Sequence, residues 1–387
     1  MITLPQNDPD AYAQIRDTAR RFAESTVRPA AEALDRDSAF PGDIYAEMGQ
    51  LGLFGVTVPD NMGGAGFDAL AYGIVMEELS RGYASVADQC GVVELIATLL
   101  AKHGSKAQQA QHLPGILKAE TLIAYCLTEA SAGSDLAGLK TTARRDGDDW
   151  VITGEKLWIH NAPVADLGFV LARTDPQAGH RGMSIFIVDL GSKGVSRGPK
   201  EHKMGQRASQ VGGLSFDEVR VPADALLGTE GRGFHIMMSL LDKGRVGIGA
   251  LATGIAQSGL EAATEYARTR VQFDRPIADN QGLQWMLADM AKDIAASRAL
   301  VHRAAMLLDA GAGATAACSI AKCHASDMAV AQTANAVQIF GGSGYIQGFE
   351  VERLYRDAKI TQIYEGTNQI QRTIIARELL RDNSVVL

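Results

Sequence analysis

Residues 141–159, TTARR-DGDDW-VITGEKLWI, decide how this chain is organised. Short alternating runs stand on either side of an Asp-Gly-Asp turn, which is the spacing of a hairpin. The same texture continues in GFVLART (168–174), MSIFIVDL (183–190) and GGLSFDEVRVP (212–222). Residues 122–232 therefore read as a compact antiparallel β domain, closed by LLGTEGRGF (226–234).

On both sides the period is helical. Asp8-Pro9-Asp10 offers a cap with proline at the first helical position, followed by an apolar stripe at Tyr12, Ile15, Ala19, Phe22 and Ala23. GVVELIATLLAKHG (91–104) is apolar on most faces and reads as a buried helix. Residues 1–121 are thus an all-α domain. After Gly233 the helical period returns in Phe234–Arg270, Gln281–Ala310 and Ala314–Phe340, punctuated by GGSGY (341–345) and EGTN (365–368). The fold class is α+β, with an N-terminal helical domain, a middle β domain and a C-terminal helical bundle over 233–387.

The 387 residues carry 37 Lys and Arg against 45 Asp and Glu, a net charge of −8, with the cations scattered along the chain. That balance argues against a nucleic-acid partner. No window approaches eighteen consecutive apolar residues, so no membrane insertion is expected. Cys90, Cys126, Cys318 and Cys323 form no CxxC pair and read as reduced thiols. The N-terminus lacks a basic start followed by an apolar run. The expected location is a bacterial cytoplasm, or a mitochondrial matrix after removal of a presequence.

Two stretches carry candidate chemistry. AYCLTEASAGSDLAG (124–138) is rich in small residues and hydroxyls, so its bare backbone can approach a planar or phosphorylated ligand; a plain Gly/Ser loop has the same composition. It matches neither a P-loop nor a dinucleotide fingerprint. Glu365 stands before a segment that Thr367 can cap and that runs through Ile370, Ile374, Ile375 and Leu379. The helix dipole favours its anion, whereas burial would raise its pKa toward that of a general base. The residues alone leave open a helix-end acid or a base.

The chain resembles the acyl-CoA dehydrogenase family over nearly its full length. The resemblance rests on CLTEASAGSD (126–135), EKLWIHN (155–161), MGQRAS (204–209), DEVRVP (217–222), RVQFDRPI (270–277), QIFGGSGY (338–345) and RDAKITQIYEGTNQIQR (356–372), in the family's order and spacing. It implies an oxidoreductase acting on CH–CH groups that holds FAD at the junction of three domains. A homotetramer is implied as well. The implied reaction is α,β-dehydrogenation of an acyl-CoA to trans-2-enoyl-CoA, with electrons passed to electron-transfer flavoprotein. The acyl group is expected to be short or branched. The alternatives are an acyl-CoA oxidase, a lyase on a substituted acyl-CoA, or a non-catalytic acyl-CoA-binding homologue.

Carried over residue by residue, the resemblance makes Glu365 the base. Its backbone N–H is implied to polarise the thioester carbonyl, and the flavin to take the β-hydrogen as hydride. Cofactor contacts are implied for Tyr125, Leu127, Thr128, Gly133, Ser134, Trp158, Ile159, His160, Thr367 and Gln369. Arg270, Phe273 and Gln281 match the segment that reaches a neighbouring subunit's FAD, with Gln338, Gly341 and Gly342 near its adenine half. Ser134, Arg245, Tyr364 and Gly366 are implied on the substrate side. Some relatives carry the base where this chain has Gly244, so Glu365 has no rival there. No metal site is expected.

His160 stands where relatives more often have Thr or Ser, and either donates to the flavin or packs away from it. Asp274 replaces a usual glycine, and Gly348-Phe349-Glu350 replaces an aromatic-proline turn. Glu94 lies in the helix region at the blind end of the acyl pocket in relatives. It is expected to face solvent or a neighbouring subunit, the alternative being contact with a polar acyl group.

Overall fold

The computed structural model describes residues 9–311 and 313–381, so the cap expected at Asp8 lies outside the described residues. Helix α1 (Pro9–Phe22) passes through a π-helical turn at Ala23–Val27 into α2 (Arg28–Asp37). Then follow α3 (Gly42–Gln50), α4 (Ala69–Gly82), α5 (Ala84–His103) and α6 (Lys106–Leu117). The Asp68 side chain accepts from Ala71 N at 2.9 Å to start α4, and Ser105 with Gln108 forms a capping box on α6. Helix α5 is long and apolar enough to cross a membrane, yet it is buried along almost its whole length inside the helical layer.

The middle segment is one sheet built from β1 (Ile123–Cys126), β2 (Thr142–Asp146), β3 (Asp149–His160), β4 (Leu167–Arg173), β5 (Met183–Asp189), β6 (Val195–Arg197), β7 (Val211–Val221) and β8 (Leu226–Leu227). Its order is β6-β7-β3-β2-β4-β5-β8, with β1 added against β4. The β2–β3 hairpin closes at Gly147–Asp148, with Asp146 opposite Asp149. The sheet is mixed: β2–β3, β4–β5 and β6–β7, neighbours in sequence, pair antiparallel, whereas both β1 and β2 run parallel to β4 because the intervening chain gives room to return in the same direction. Trp150, Phe186, Val170 and Phe216 form the core of this layer.

The C-terminal part comprises α7 (Gly233–Met238), α8 (Leu241–Thr269), a small hairpin of β9 (Val271–Gln272) and β10 (Arg275–Pro276), α9 (Gln281–Asp309), α10 (Thr315–Phe340), α11 (Glu350–Lys359) and α12 (Asn368–Arg381). The β9–β10 loop is Phe273–Asp274, at φ +53° and +62°. Both central residues at positive φ is what a two-residue type I′ hairpin requires, and aspartate tolerates it, so Asp274 keeps the turn that a glycine would make. Helices α4, α5, α8 and α10 share one continuous core through Leu79, Leu99, Leu251, Ile255 and Ala325. The turn between α11 and α12 packs on this core, where Glu365 lies against α8 and Lys322 of α10 reaches its backbone.

Candidate active site

Glu365 and Gly366 stand at φ +51° and +87°. Glycine adopts this conformation freely, but glutamate loses about 1 kcal/mol there, so neighbouring contacts must hold the turn. Lys322 Nζ, in a fully buried residue of α10, donates to Gly366 O at 2.9 Å and to Asn368 Oδ1 at 3.0 Å. Gln371 Nε2 donates to Glu365 O at 3.2 Å and Gly366 O at 3.0 Å. Thr367 Oγ1 accepts from Ile370 N at 3.2 Å, which is the anticipated cap of α12. From the sheet side, Gln206 Nε2 donates to Tyr364 Oη at 3.4 Å, and Gln206 N donates to the buried Asp357.

The carboxylate of Glu365 turns inward. Its Oε2 is buried with no hydrogen-bond partner, and it lies 2.7 Å from where a Cβ on Gly244 would stand. A side chain at position 244 would therefore displace the carboxylate. Burial raises the Glu365 pKa and Asp88 adds to the rise, while Arg245 and Lys322 oppose it. Among the described residues, no acceptor faces the Glu365 N–H. A free proton acceptor and a free donor thus lie at one residue. Arg245 is buried and donates to Asp242 Oδ1 at 2.6 Å.

Beside this turn lies the loop after β1. Tyr125 Oη is buried and has no partner; burial, then Glu365, pushes its pKa well up. Thr128 O accepts from Leu157 N at 2.9 Å, Leu127 O accepts from Lys156 Nζ at 3.0 Å, and Gly133 and Ser134 are exposed. The pairing of β3 with β7 shifts between Lys156 and Ile159, and Trp158 takes φ +55°. The irregularity turns Trp158 outward, 62% exposed, while Ile159 enters the sheet core at 2%. The His160 ring is held from behind, with Nε2 3.0 Å from Gln89 Nε2 and 3.6 Å from Asp88. Gln89 also exchanges hydrogen bonds with Asn161, so its amide hydrogen points at Nε2 and a neutral ring keeps its proton on Nδ1. Burial lowers the His160 pKa, which favours that neutral form.

The remaining candidates gather elsewhere. Arg270, Phe273, Gln281, Gln338, Gly341 and Gly342 are exposed at the far end of α8, where Tyr266 stacks on Phe340 at 4.1 Å. Gly244 and Arg270 are separated by almost the whole of α8, roughly 40 Å at about 1.5 Å per residue. Gln369 is exposed on α12 and lines an open cleft of about 460 Å³ with Asp327, Lys359 and Arg372.

Glu94 departs from expectation. It is fully buried, and it pairs with Lys243 at 3.2 Å instead of facing solvent or another subunit. An isolated acid on an apolar helix gives no sign of a partner 149 residues away.

Three supports were not singled out from sequence. Glu129 accepts from Lys140 N at 2.6 Å and Thr141 N at 3.0 Å, and pairs with buried Lys156 at 2.9 Å, fixing the loop after β1. Gln206 carries no signal. Lys322 does, for it stands in phase with the fully buried Ser319, Ser326, Ala329 and Thr333 of α10. A lysine on such a stripe needs a fixed acceptor.

The arrangement sets one buried, unpartnered carboxylate beside an open, bare surface. The chain belongs to the acyl-CoA dehydrogenase family. The family's N-terminal domain model matches residues 9–120, its middle domain 124–219 and its C-terminal domain 231–380. The chain is 43% identical over 378 residues to the mitochondrial short-chain specific acyl-CoA dehydrogenase of Bos taurus, covering 96% of this chain and 91% of that one. Butyryl-CoA dehydrogenase from Megasphaera elsdenii superposes with a TM-score of 0.94 at 39% identity, covering 98% of this chain and all of the other. A chain in a structure described as the electron transferring flavoprotein of Acidaminococcus fermentans superposes at 0.95 with 42% identity, covering 98% of this chain and 100% of that one. The protein is thus a flavoprotein oxidoreductase acting on the CH–CH group of acyl-CoA donors, with FAD as cofactor.

Proposed function

We propose that this acyl-CoA dehydrogenase converts a short or branched acyl-CoA to its trans-2-enoyl-CoA with Glu365 as the base, and passes the electrons to electron-transfer flavoprotein. The observation that carries the reading is the buried, unpartnered Glu365 Oε2 beside its own free N–H. The carboxylate would take the α-proton, and the N–H would donate to the carbonyl oxygen as enolate charge develops. Gly244 and Leu95 border this carboxylate, with Leu95 Cδ1 3.7 Å from the Gly244 Cβ position. Arg245, Tyr364 and Gly366 border the thioester, with Ser134 on the CoA side.

FAD, when bound, accepts the β-hydrogen as hydride. The residues fit it. Trp158 offers an exposed indole, Tyr125 Oη lacks a partner, and a Cβ on Gly133 would meet nothing within 4 Å. Leu127, Thr128, Ser134, Ile159, His160, Thr367 and Gln369 complete the flavin side. Arg270, Phe273, Gln281, Gln338, Gly341 and Gly342 lie too far from Glu365 to hold the same ring, which supports a homotetramer in which they serve a neighbour's FAD. The domains would divide at 121/122 and 232/233. Names of relatives support the finer points: one is short-chain specific, one a butyryl-CoA dehydrogenase, and one comes from a structure of electron-transferring flavoprotein. Four buried free thiols accord with a cytoplasmic or matrix compartment.

The test is anaerobic mixing of the yellow protein with short, branched and medium acyl-CoAs while the flavin's visible band is followed. Bleaching by a short or branched member is expected. Bleaching by none would overturn the reading, and rapid oxygen consumption in air would make the protein an oxidase.

Gly244→Ala probes the same geometry. Its Cβ would stand 2.7 Å from Glu365 Oε2, so the carboxylate must swing aside. Flavin content should be unchanged while reduction slows about a hundredfold, the usual result of a misplacement near 1 Å. Stopped-flow reduction at saturating substrate checks this.

A further inference from the structure

The His160 ring, assigned above to the flavin side, is tied to the fold through two amides. Asn161 Nδ2 donates to Ile123 O of β1 at 3.3 Å, which settles the side of that amide that carries hydrogen, since a backbone carbonyl only accepts. Asn161 Nδ2 also donates to Gln89 Oε1 at 2.8 Å, and Gln89 Nε2 returns a hydrogen to Asn161 Oδ1 at 2.9 Å. The second hydrogen on Gln89 Nε2 is thereby left for His160 Nε2, 3.0 Å away. Gln89 on α5 and Asn161 after β3 are fully buried, so solvent offers neither amide another orientation. On the other side of the ring, His160 Nδ1 has no hydrogen-bond partner among the described residues.

We propose that Gln89 and Asn161 are positioning residues that lock His160 as a neutral donor with its hydrogen on Nδ1, so that the flavin meets a fixed N–H and not an imidazolium. The inference rests on FAD lying beside His160 and is independent of which residue is the base. A proton on Nε2 would face a Gln89 hydrogen, donor against donor. Relief requires Gln89 to turn and then Asn161, which sets Asn161 Oδ1 against Ile123 O, acceptor against acceptor, where burial leaves neither another partner. The charges around the ring do not undo the lock. Asp88 of α5 lies 3.6 Å from Nε2, too far for a hydrogen bond, and its Oδ2 already accepts from Ser209 Oγ at 2.6 Å. Lys203, whose Nζ donates to Gln206 O at 2.6 Å and Ser209 O at 2.5 Å, opposes protonation from the facing loop. Burial acts in the same direction and outweighs Asp88, which lowers the pKa of the ring.

The test is the midpoint potential of the bound flavin in the holoenzyme, measured anaerobically against redox dyes at a series of pH values. A hydride equivalent brings two electrons and one proton to the flavin. A ring that titrated would take a second proton from water and add up to about 30 mV to each pH unit, the equivalent of a tenfold change for a two-electron couple. His160→Leu should lower the potential by about 30 mV, a tenfold loss of preference for the reduced form, equally at every pH, so that the two lines run parallel. Glu365 is present in both proteins, so its own titration cancels. His160→Thr, which cannot titrate either, supplies the same slope comparison if leucine lowers the flavin content. Gln89→Leu frees Nε2 beside Asp88, so its line should steepen, and Gln89→Leu/His160→Leu should lose the added slope. A wild-type line steeper than those of the His160 variants would overturn the lock, as would a Gln89→Leu line parallel to wild type. Coincident wild-type and His160→Leu lines would overturn donation to the flavin, while bleaching by acyl-CoA still reports on Glu365.

Discussion

Glu365→Gln should leave a yellow protein that binds acyl-CoA yet reduces its flavin about a thousandfold more slowly, within the range supplied by one positioned base. The amide keeps the shape of the carboxyl group, and the buried Oε2 makes no hydrogen bond that the substitution would break. The turn stays in place, because Lys322 and Gln371 hold its backbone and not its side chain. The pH dependence supplies a second check on the same residue. Only ionised Glu365 takes a proton, and burial with Asp88 raises its pKa. In the wild type, flavin reduction should therefore rise with pH through a limb lying above the ordinary glutamate range. In the glutamine variant the residual rate should lose that limb. Rapid reduction by the variant would move the base to another residue.

Features set by local chemistry are legible in the sequence alone. The Gly147–Asp148 turn between two alternating runs can only be a hairpin, and α9 begins at Gln281 where its apolar period starts. The bare loop after β1 and the Glu365 turn stand out in the sequence by their small residues and by an acid set before a segment that Thr367 caps. What was not legible depends on partners distant in the chain. The parallel pairing of β1 with β4 joins residues about forty apart, and no turn signal announces it. Glu94 read as an outward acid because its cation, Lys243, lies on another helix. His160 offers two roles, and only the fold reveals a largely buried ring whose Nε2 faces the Gln89 amide, burial favouring the neutral form against the pull of Asp88. Position alone states which residue is present, whereas its charge state follows from neighbours that folding brings in.

Lys322→Met should slow flavin reduction by between ten- and a hundredfold while leaving FAD in place, although Lys322 is not aimed at the reacting atoms. Its ammonium satisfies Gly366 O and Asn368 Oδ1, and so helps hold Glu365 in a conformation that glutamate otherwise avoids. Methionine fills the volume but donates nothing, leaving the Gly366 carbonyl to Gln371 alone. The cation also acts through space, since Lys322 lowers the Glu365 pKa against the rise from burial. Removing it should move the acid limb of the pH profile further up. The two contributions separate in one experiment. Well above the limb, Glu365 is fully ionised in both proteins, so any remaining deficit reports a misplaced carboxylate; below it, the extra loss reports the missing charge. Burial has already pushed the lysine's own pKa down to about 8, so the wild type gains least from this cation at high pH. If the acid limb does not move and the high-pH rates agree, Lys322 acts in folding alone. The turn would then keep its geometry through Gln371 and the Thr367 cap.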